Sequence, residues 1–287
     1  MKFKNKFKII DAVIVLSVVL ILGINHIHII IKMKLIQISD IHCGVRFDKN
    51  VFNTAADEIN ALDPDVVVVT GDLTEEGYLK EYLQFKEKIE KIKCENIVIG
   101  SGNHDYKHTG YILFNKFFPA KSRYRQIIEF KNYIITMLKT SRPDRVDGEV
   151  GHKQVRGMEK LLDEYSNKFK IICSHHHLMP VPDTGIERNT VSDAGNVLNS
   201  LIRNKVDLVL CGHKHRPWKW NINGMPIINA GTLSCDKFRG FFANSYNIIK
   251  IDGGKIYAKV KVVGGEELEF DRILNGYKHI SAIEPCK

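Results

Sequence analysis

Five short blocks in this sequence place side chains that bind cations or move protons directly behind apolar runs. They are Asp40-Ile41-His42, Gly71-Asp72, Gly102-Asn103-His104-Asp105, Ser174-His175-His176-His177 and Gly212-His213-Lys214-His215. Carboxylates, a carboxamide and several imidazoles make a mixed oxygen and nitrogen donor set. Such a set suits borderline metals such as Mn, Fe, Zn, Co or Ni better than Ca or Mg alone. Each block by itself has an ordinary reading. Asp-x-His can be a turn, Gly71-Asp72 a turn and helix cap ahead of Glu75, and Asn103-His104-Asp105 an Asx-turn. The histidine run can be a partly buried polar edge, and His213 and His215 can share a strand face by chance. Their joint occurrence in one order, each behind an apolar strand, points instead to one shared site.

The elements that must position these blocks read as alternating strands and helices. Residues 35–39 form a short apolar run leading into Asp40, and residues 52–62 carry helical spacing. Pro64 stops that helix, and Val66–Val69 is a β-branched run fit for a strand buried on both faces. A long amphipathic helix is expected over 75–93 and a third strand over 96–99. This order implies a parallel sheet with right-handed crossovers. Further strands are expected at 124–130, 133–138, 169–173, 207–210, 225–229, 245–251 and 255–262, with helices at 152–165 and 192–203. In an open α/β sheet ligands gather beyond the carboxyl ends of the strands, where all five blocks fall. Glycines beside them permit tight strand-to-loop turns.

The chain has 287 residues, 44% apolar and 26% charged, with 21 glycines and 8 prolines. These values exclude a disordered, collagenous or low-complexity protein. Net charge is +9, and much of the surplus lies in residues 1–32, where Lys2, Lys4, Lys6, Lys8 and Lys32 face Asp11 alone. The remainder is only mildly basic and shows no Lys/Arg stripe interleaved with aromatics, which is weak evidence for nucleic-acid binding. No internal repeat or long linker divides residues 33–263, which read as one domain. Residues 264–287 read as a charged tail packed on the surface.

Residues 9–31 are apolar enough to span a bilayer, which takes about 20 residues. No small-x-small cleavage pattern follows, so an uncleaved membrane anchor at residues 1–32 is expected. Leading lysines favour a cytoplasmic start, whereas Lys32 and Lys34 blunt that bias and leave the orientation open. The alternative is a start at Met33 and a cytoplasmic protein. Six cysteines show no metal-finger spacing. Cys173 and Cys211 end apolar runs, where a thiol serves as a small hydrophobe. Reduced core cysteines suit the cytosol, which is at odds with export.

Together the blocks Asp40-x-His42, Gly71-Asp72, Gly102-Asn103-His104-Asp105, His175-His176-His177 and Gly212-His213-x-His215 resemble the signature of the calcineurin-like metallophosphoesterases, over about residues 33–263. Gly71-Asp72-Leu73-Thr74 followed by Asn103-His104-Asp105 is similar to the cyclic-nucleotide phosphodiesterase-like branch. The protein-phosphatase branch has a Gly-Asp-x-Val-Asp-Arg-Gly block and Asn-His-Glu, both absent here. The resemblance implies an α/β fold, a four-layer αββα sandwich of two mixed sheets flanked by helices. It also implies two divalent or transition-metal ions. One would be held by Asp40, His42, Asp72 and His215, the other by Asp72, Asn103, His176 and His213, with Asp72 bridging. The family's fourth block reads His-His-Pro with the first histidine as ligand. Leu178 stands at the proline, which gives His176, with His175 as the alternative.

The implied chemistry is hydrolysis of a phosphomono- or phosphodiester by a metal-activated water. His104 would protonate the leaving oxygen and Asp105 would orient its ring. The implied partner is a small phosphate ester or nucleotide. Alternatives are a nuclease, a pyrophosphatase acting on nucleotides or lipids, and a non-catalytic scaffold. Loops 106–123, 140–151 and 181–192 would choose the substrate, with Arg142, Arg145 and Arg188 as candidates to hold a phosphate.

Overall fold

The computed structural model describes residues 32–119, 124–240 and 242–275. In chain order the first half contains β1 (Lys32–Ile38), α1 (Lys49–Leu62), β2 (Val66–Val69), α2 (Leu79–Ile89), β3 (Ile97–Ile99), α3 (Gly110–Phe117), β4 (Tyr124–Arg125), β5 (Ile127–Glu129) and β6 (Tyr133–Leu138). Then follow α4 (His152–Glu164), β7 (Phe169–Ser174), α5 (Ala194–Arg203), β8 (Leu208–Cys211), β9 (Trp218–Ile222) and β10 (Met225–Asn229). The last elements are β11 (Ser245–Asp252), β12 (Lys255–Val262), β13 (Glu267–Glu269) and α6 (Phe270–Leu274).

The strands form two mixed sheets, ordered β13-β12-β11-β1-β2-β3-β4 and β5-β6-β7-β8-β10-β9. Strands β1 to β4 run parallel, as do β6, β7, β8 and β10. All four valines of β2 are wholly buried because both faces of the sheet are covered. Leu35, Val66, Val68 and Val98 of the first sheet pack against Ile135, Ile171, Leu208, Leu210 and Ile228 of the second. The opposite face of the first sheet, with Ile36, Ile38, Val67 and Val69, packs on Phe52, Ile59, Phe85 and Phe114 of the helices. Ile172 and Val209 on the outside of the second sheet meet Met158, Leu162, Val197 and Leu201 of α4 and α5. The layers are therefore helix, sheet, sheet, helix.

A polar network pins the two sheets to each other. The Gln37 amide on β1 donates to the Cys211 carbonyl on β8 at 2.8 Å, and its oxygen accepts from Asn247 Nδ2 on β11 at 2.9 Å. That same nitrogen lies 3.2 Å from the Asn229 carbonyl on β10, and Gln37, Asn229 and Asn247 are wholly buried.

Local sequence explains several element ends. Asp48 caps α1 by accepting from the Asn50 and Val51 amides at 2.8 and 3.1 Å. The second helix starts at Leu79, later than the expected 75, because Gly77 takes φ +70° and the Glu81 carboxylate accepts from the Glu76 and Tyr78 amides ahead of it. Glu75 is thus left in the loop after β2. The single strand expected over 124–130 is two, and they lie in different sheets: β4 pairs with β3 and β5 with β6. Beyond Val263 the chain adds edge strand β13 and helix α6, where Leu268, Phe270 and Ile273 are buried.

The expected membrane anchorage needs correction. Among the described residues no helix is long and apolar enough to cross a membrane. The segment on which that expectation rested, residues 9–31, lies outside them.

Gln37→Ala should remove one of two partners from each of the Cys211 carbonyl, which keeps the Ala230 amide, and the Asn247 side-chain amide, which keeps the Asn229 carbonyl. The expected loss of stability is about 1–3 kcal/mol, read from the urea midpoint at unchanged m-value.

Candidate metal centre

The carboxyl ends of β1, β2 and β3 from one sheet and β7 and β8 from the other meet along a common edge. The loops there are tied by backbone bonds: the Asp40 amide donates to the Gly71 carbonyl at 3.0 Å, and the Ile41 and His42 amides donate to the Asp72 carbonyl at 2.8 and 3.0 Å. The His213 amide crosses the seam between the sheets and donates to Asp40 Oδ2 at 3.0 Å. Asp40, His42, Asp72, His213 and His215 all take left-handed backbone conformations, with φ between 51° and 74°. Non-glycine residues rarely hold that conformation unless surrounding contacts fix it. Two glycines make the closeness possible. A Cβ on Gly102 would sit 2.0 Å from Asp72 Oδ1, and one on Gly212 would sit 2.1 Å from Ser39 Oγ.

Donor atoms of Asp40, His42, Asp72 and His215 lie within 4.8 Å of one another, and all four residues are buried. Asp72 Oδ2 is 3.5 Å from His42 Nε2 on one side and 3.3 Å from His175 Nε2 on the other. The second group closes around Asn103 Oδ1, which is 3.2 Å from His175 Nε2 and 2.9 Å from His213 Nδ1.

The outer nitrogens of the rings decide what the inner ones present. His175 Nδ1 donates to the Thr70 carbonyl at 2.8 Å, and His215 Nδ1 donates to the Lys237 carbonyl at 2.6 Å. His42 Nδ1 faces Glu75 Oε2 at 2.8 Å. A ring that spends its proton outward turns a bare lone pair inward. His42 and His215 consequently aim Nε2 atoms at each other across 3.1 Å. Asp40 Oδ1 is buried there with no hydrogen-bond donor. Unshared lone pairs converging in a buried space are satisfied by a cation, so this donor set fits divalent metals.

The electrostatics agree. Burial opposes charge on His175, yet Asp72 beside it pushes the ring up to about 9. Burial likewise opposes charge on His215, which Asp40 pushes up to about 10. Burial would raise the Asp72 carboxyl, but His175, His104 and His42 hold it well below the usual carboxylate range. Positive charge belongs between these groups.

Two expectations change. His175, not His176, is the imidazole of the fourth block that meets Asp72. His176 lies close by, with a ring nitrogen within 4.8 Å of one from each of His175 and His213, and both its nitrogens have protein partners. Nδ1 takes the Thr140 hydroxyl at 2.8 Å and Nε2 donates to the Val146 carbonyl at 3.0 Å. The side chain of Asp105 does not serve the His104 ring either. Its carboxylate accepts from the amides of Leu73, Thr74 and Gly102 and from the Thr74 hydroxyl, at 2.8 to 3.1 Å, and so clamps the loop after β2 to the loop after β3. Burial, with the Asp72 charge, pushes the Asp105 carboxyl up to about 7. The His104 ring is set instead by the Glu75 carbonyl, which takes Nδ1 at 2.6 Å, while its amide donates to Asp72 Oδ1 at 2.9 Å. Its side chain is 15% exposed, at the edge of the cluster. Glu75, Thr70 and Lys237 carry no motif signal, since each acts through its backbone carbonyl, Glu75 through its carboxylate as well.

Residues 33–217 match the family model of the calcineurin-like phosphoesterases, and the chain belongs to that family. It is a hydrolase acting on phosphoester bonds. Among its relatives is a protein of Xenorhabdus bovienii described as a probable cyclic nucleotide phosphodiesterase, 26% identical over 77% of this chain and 92% of the relative. The 3',5'-cyclic adenosine monophosphate phosphodiesterase CpdA of Escherichia coli is 23% identical over 74% of this chain and 80% of its own length. The fold also matches a dimetal phosphatase from Danio rerio with a TM-score of 0.61 at 10% identity, covering 79% of this chain and 98% of that one.

Gly102→Ala should push the Asp72 carboxylate out of place and lower turnover by about 10²-fold. Gly157→Ala, where a Cβ meets nothing within 4 Å, serves as the silent control in the same assay.

Proposed function

We propose that the chain is a binuclear metal-dependent phosphodiesterase whose substrate class is the cyclic nucleotides. The observation that carries this reading is the inward convergence of Nε2 atoms on two buried carboxylates, His42 and His175 on Asp72 and His215 on Asp40. In this reading Asp40, His42, Asp72 and His215 hold one cation. Asp72, Asn103, His175 and His213 hold the other, with His175 taking the place expected of His176. Cations so bound supply Lewis acidity toward the phosphoryl oxygens and a nucleophile at neutral pH.

The protein's own groups do the rest. Asp72 turns Oδ2 toward both groups of ligands, His42 and His175, from the strand end where the two meet, while Oδ1 accepts from the His104 amide. Asn103 adds an oxygen without adding negative charge, which keeps the centre electrophilic. With Nδ1 donating to the Glu75 carbonyl, His104 in its imidazolium form would carry a second proton, on Nε2, to pass to the leaving oxygen.

A diester fits better than a monoester dianion. Two of the three arginines expected to hold phosphate are already paired, Arg142 with Asp147 and Glu149 and Arg145 with Asp147 at 3.0 Å, which leaves less cationic charge for the second negative charge of a monoester. The names of the cyclic nucleotide phosphodiesterase relatives support the substrate class. A non-catalytic scaffold has no need of so complete a donor set.

With manganese supplied, 3',5'-cyclic nucleotides and bis-p-nitrophenyl phosphate should be hydrolysed well and p-nitrophenyl phosphate poorly. The reverse order, or no turnover of any of the three, would sink the assignment. Elemental analysis should find about two transition-metal ions per chain, and Asp72→Ala should lose both, since each site shares that carboxylate. His104→Ala should keep the metals yet slow hydrolysis by about 10²–10⁴-fold. The defect should be smaller for a nitrophenolate leaving group, which needs no proton; equal loss on poor and good leaving groups would remove the acid role.

A further inference from the structure

Cys235 belongs to none of the five blocks, yet its thiol is built into the same centre. Its sulfur and a ring nitrogen from each of His42 and His215 lie within 4.8 Å of one another, and all three residues are buried. Packing alone does not account for the placement, because the segment that carries Cys235 is bonded residue by residue to the Asp40 loop. The Thr232 hydroxyl donates to the Asp40 carbonyl at 2.6 Å, the Leu233 amide to the Ser39 carbonyl at 3.0 Å, and the Ser234 hydroxyl to the Ile41 carbonyl at 3.2 Å. Cys235 itself donates its amide to Thr232 Oγ1 at 3.1 Å, and its carbonyl accepts from Asn244 Nδ2 at 3.0 Å. Its sulfur therefore has a backbone as constrained as that of the proposed ligands. The Lys237 amide points at that sulfur from 3.4 Å.

We propose that Cys235 Sγ is a soft donor beside the Asp40 site, so that a thiophilic cation such as zinc, cadmium or cobalt is taken by His42, His215 and Cys235 together. Two imidazoles and a thiolate form a donor set that zinc accepts readily, and thiolate selects soft cations over manganese or magnesium. On binding, the S–H bond breaks, its proton passes to solvent, and the sulfur–metal bond forms with no change of oxidation state. His42 and His215 serve both the oxygen-rich set and this one. The thiol thus biases which metal the chain retains, and a soft cation drawn toward sulfur is drawn away from Asp72.

The inference rests on the reading that Asp40, His42, Asp72 and His215 hold a cation, and the experiment separates the two. Full-length protein stripped by chelator is titrated with cobalt(II), and its absorption spectrum is followed. A sulfur-to-cobalt charge-transfer band should grow in the near ultraviolet together with the visible d–d bands. It should be lost in Cys235→Ser and kept in Cys43→Ser, which removes a different buried thiol. X-ray absorption on the zinc-loaded wild type should show a sulfur scatterer at about 2.3 Å, a test that does not depend on either variant folding. Visible bands without the charge-transfer band, or a band that survives in Cys235→Ser, would overturn the role of Cys235 and leave the metal site standing. No cobalt bound at all would overturn the site and the thiol donor alike.

Discussion

Asp72 is the point on which the rest of the site depends. One carboxylate, wholly enclosed, faces His42 from the first sheet and His175 from the second, and takes the His104 amide from the loop after β3. Asp40 is enclosed beside it. Burying two carboxylates so close together is costly unless cationic or hydrogen-bonding partners compensate them. The geometry that surrounds them follows from that requirement. Imidazoles turn inward, backbone amides point at the carboxylate oxygens, and glycines stand wherever a Cβ would keep these groups apart.

Holding that arrangement takes rigidity drawn from elsewhere. Asp40, Asp72 and three of the groups around them, His42, His213 and His215, sit on left-handed backbone, a conformation stabilised by contacts rather than by local preference. Asp105 clamps two of the loops by accepting from three amides and a hydroxyl. The apolar layer between the sheets and the Gln37 network beneath it keep the strand ends of both sheets in one register. Carbonyls of Thr70 and Lys237 then fix the rings of His175 and His215. Precision at the cluster is a property of the whole sandwich, not of the motifs.

Likeness of fold and likeness of chemistry come from different observations here. A match to a structure at 10% identity speaks for the two-sheet sandwich alone. The chemistry follows from donor atoms that converge at the end of the strands, and from the family model that spans them.

By itself the sequence determined the alternation of strands and helices, the five blocks at strand ends and the kind of donors they carry. Those features are local: β-branched runs such as Val66–Val69 must be buried, and a glycine followed by Asp or His breaks the strand where its ladder stops. What lay beyond it depends on contacts between distant residues. Three consecutive histidines offer the same chemistry on paper; only the exit of the chain from β7 after Ser174 turns His175 toward Asp72 and His176 toward Thr140. Glu75 looked like the first turn of a helix until Gly77 and the Glu81 cap left it facing His42. The stretch 124–130 carries no mark showing that its halves belong to different sheets, because both halves satisfy the same strand pattern. Cys235 and the Lys237 carbonyl reach the site through a return of the chain about 190 residues after Asp40, a proximity that only tertiary packing creates.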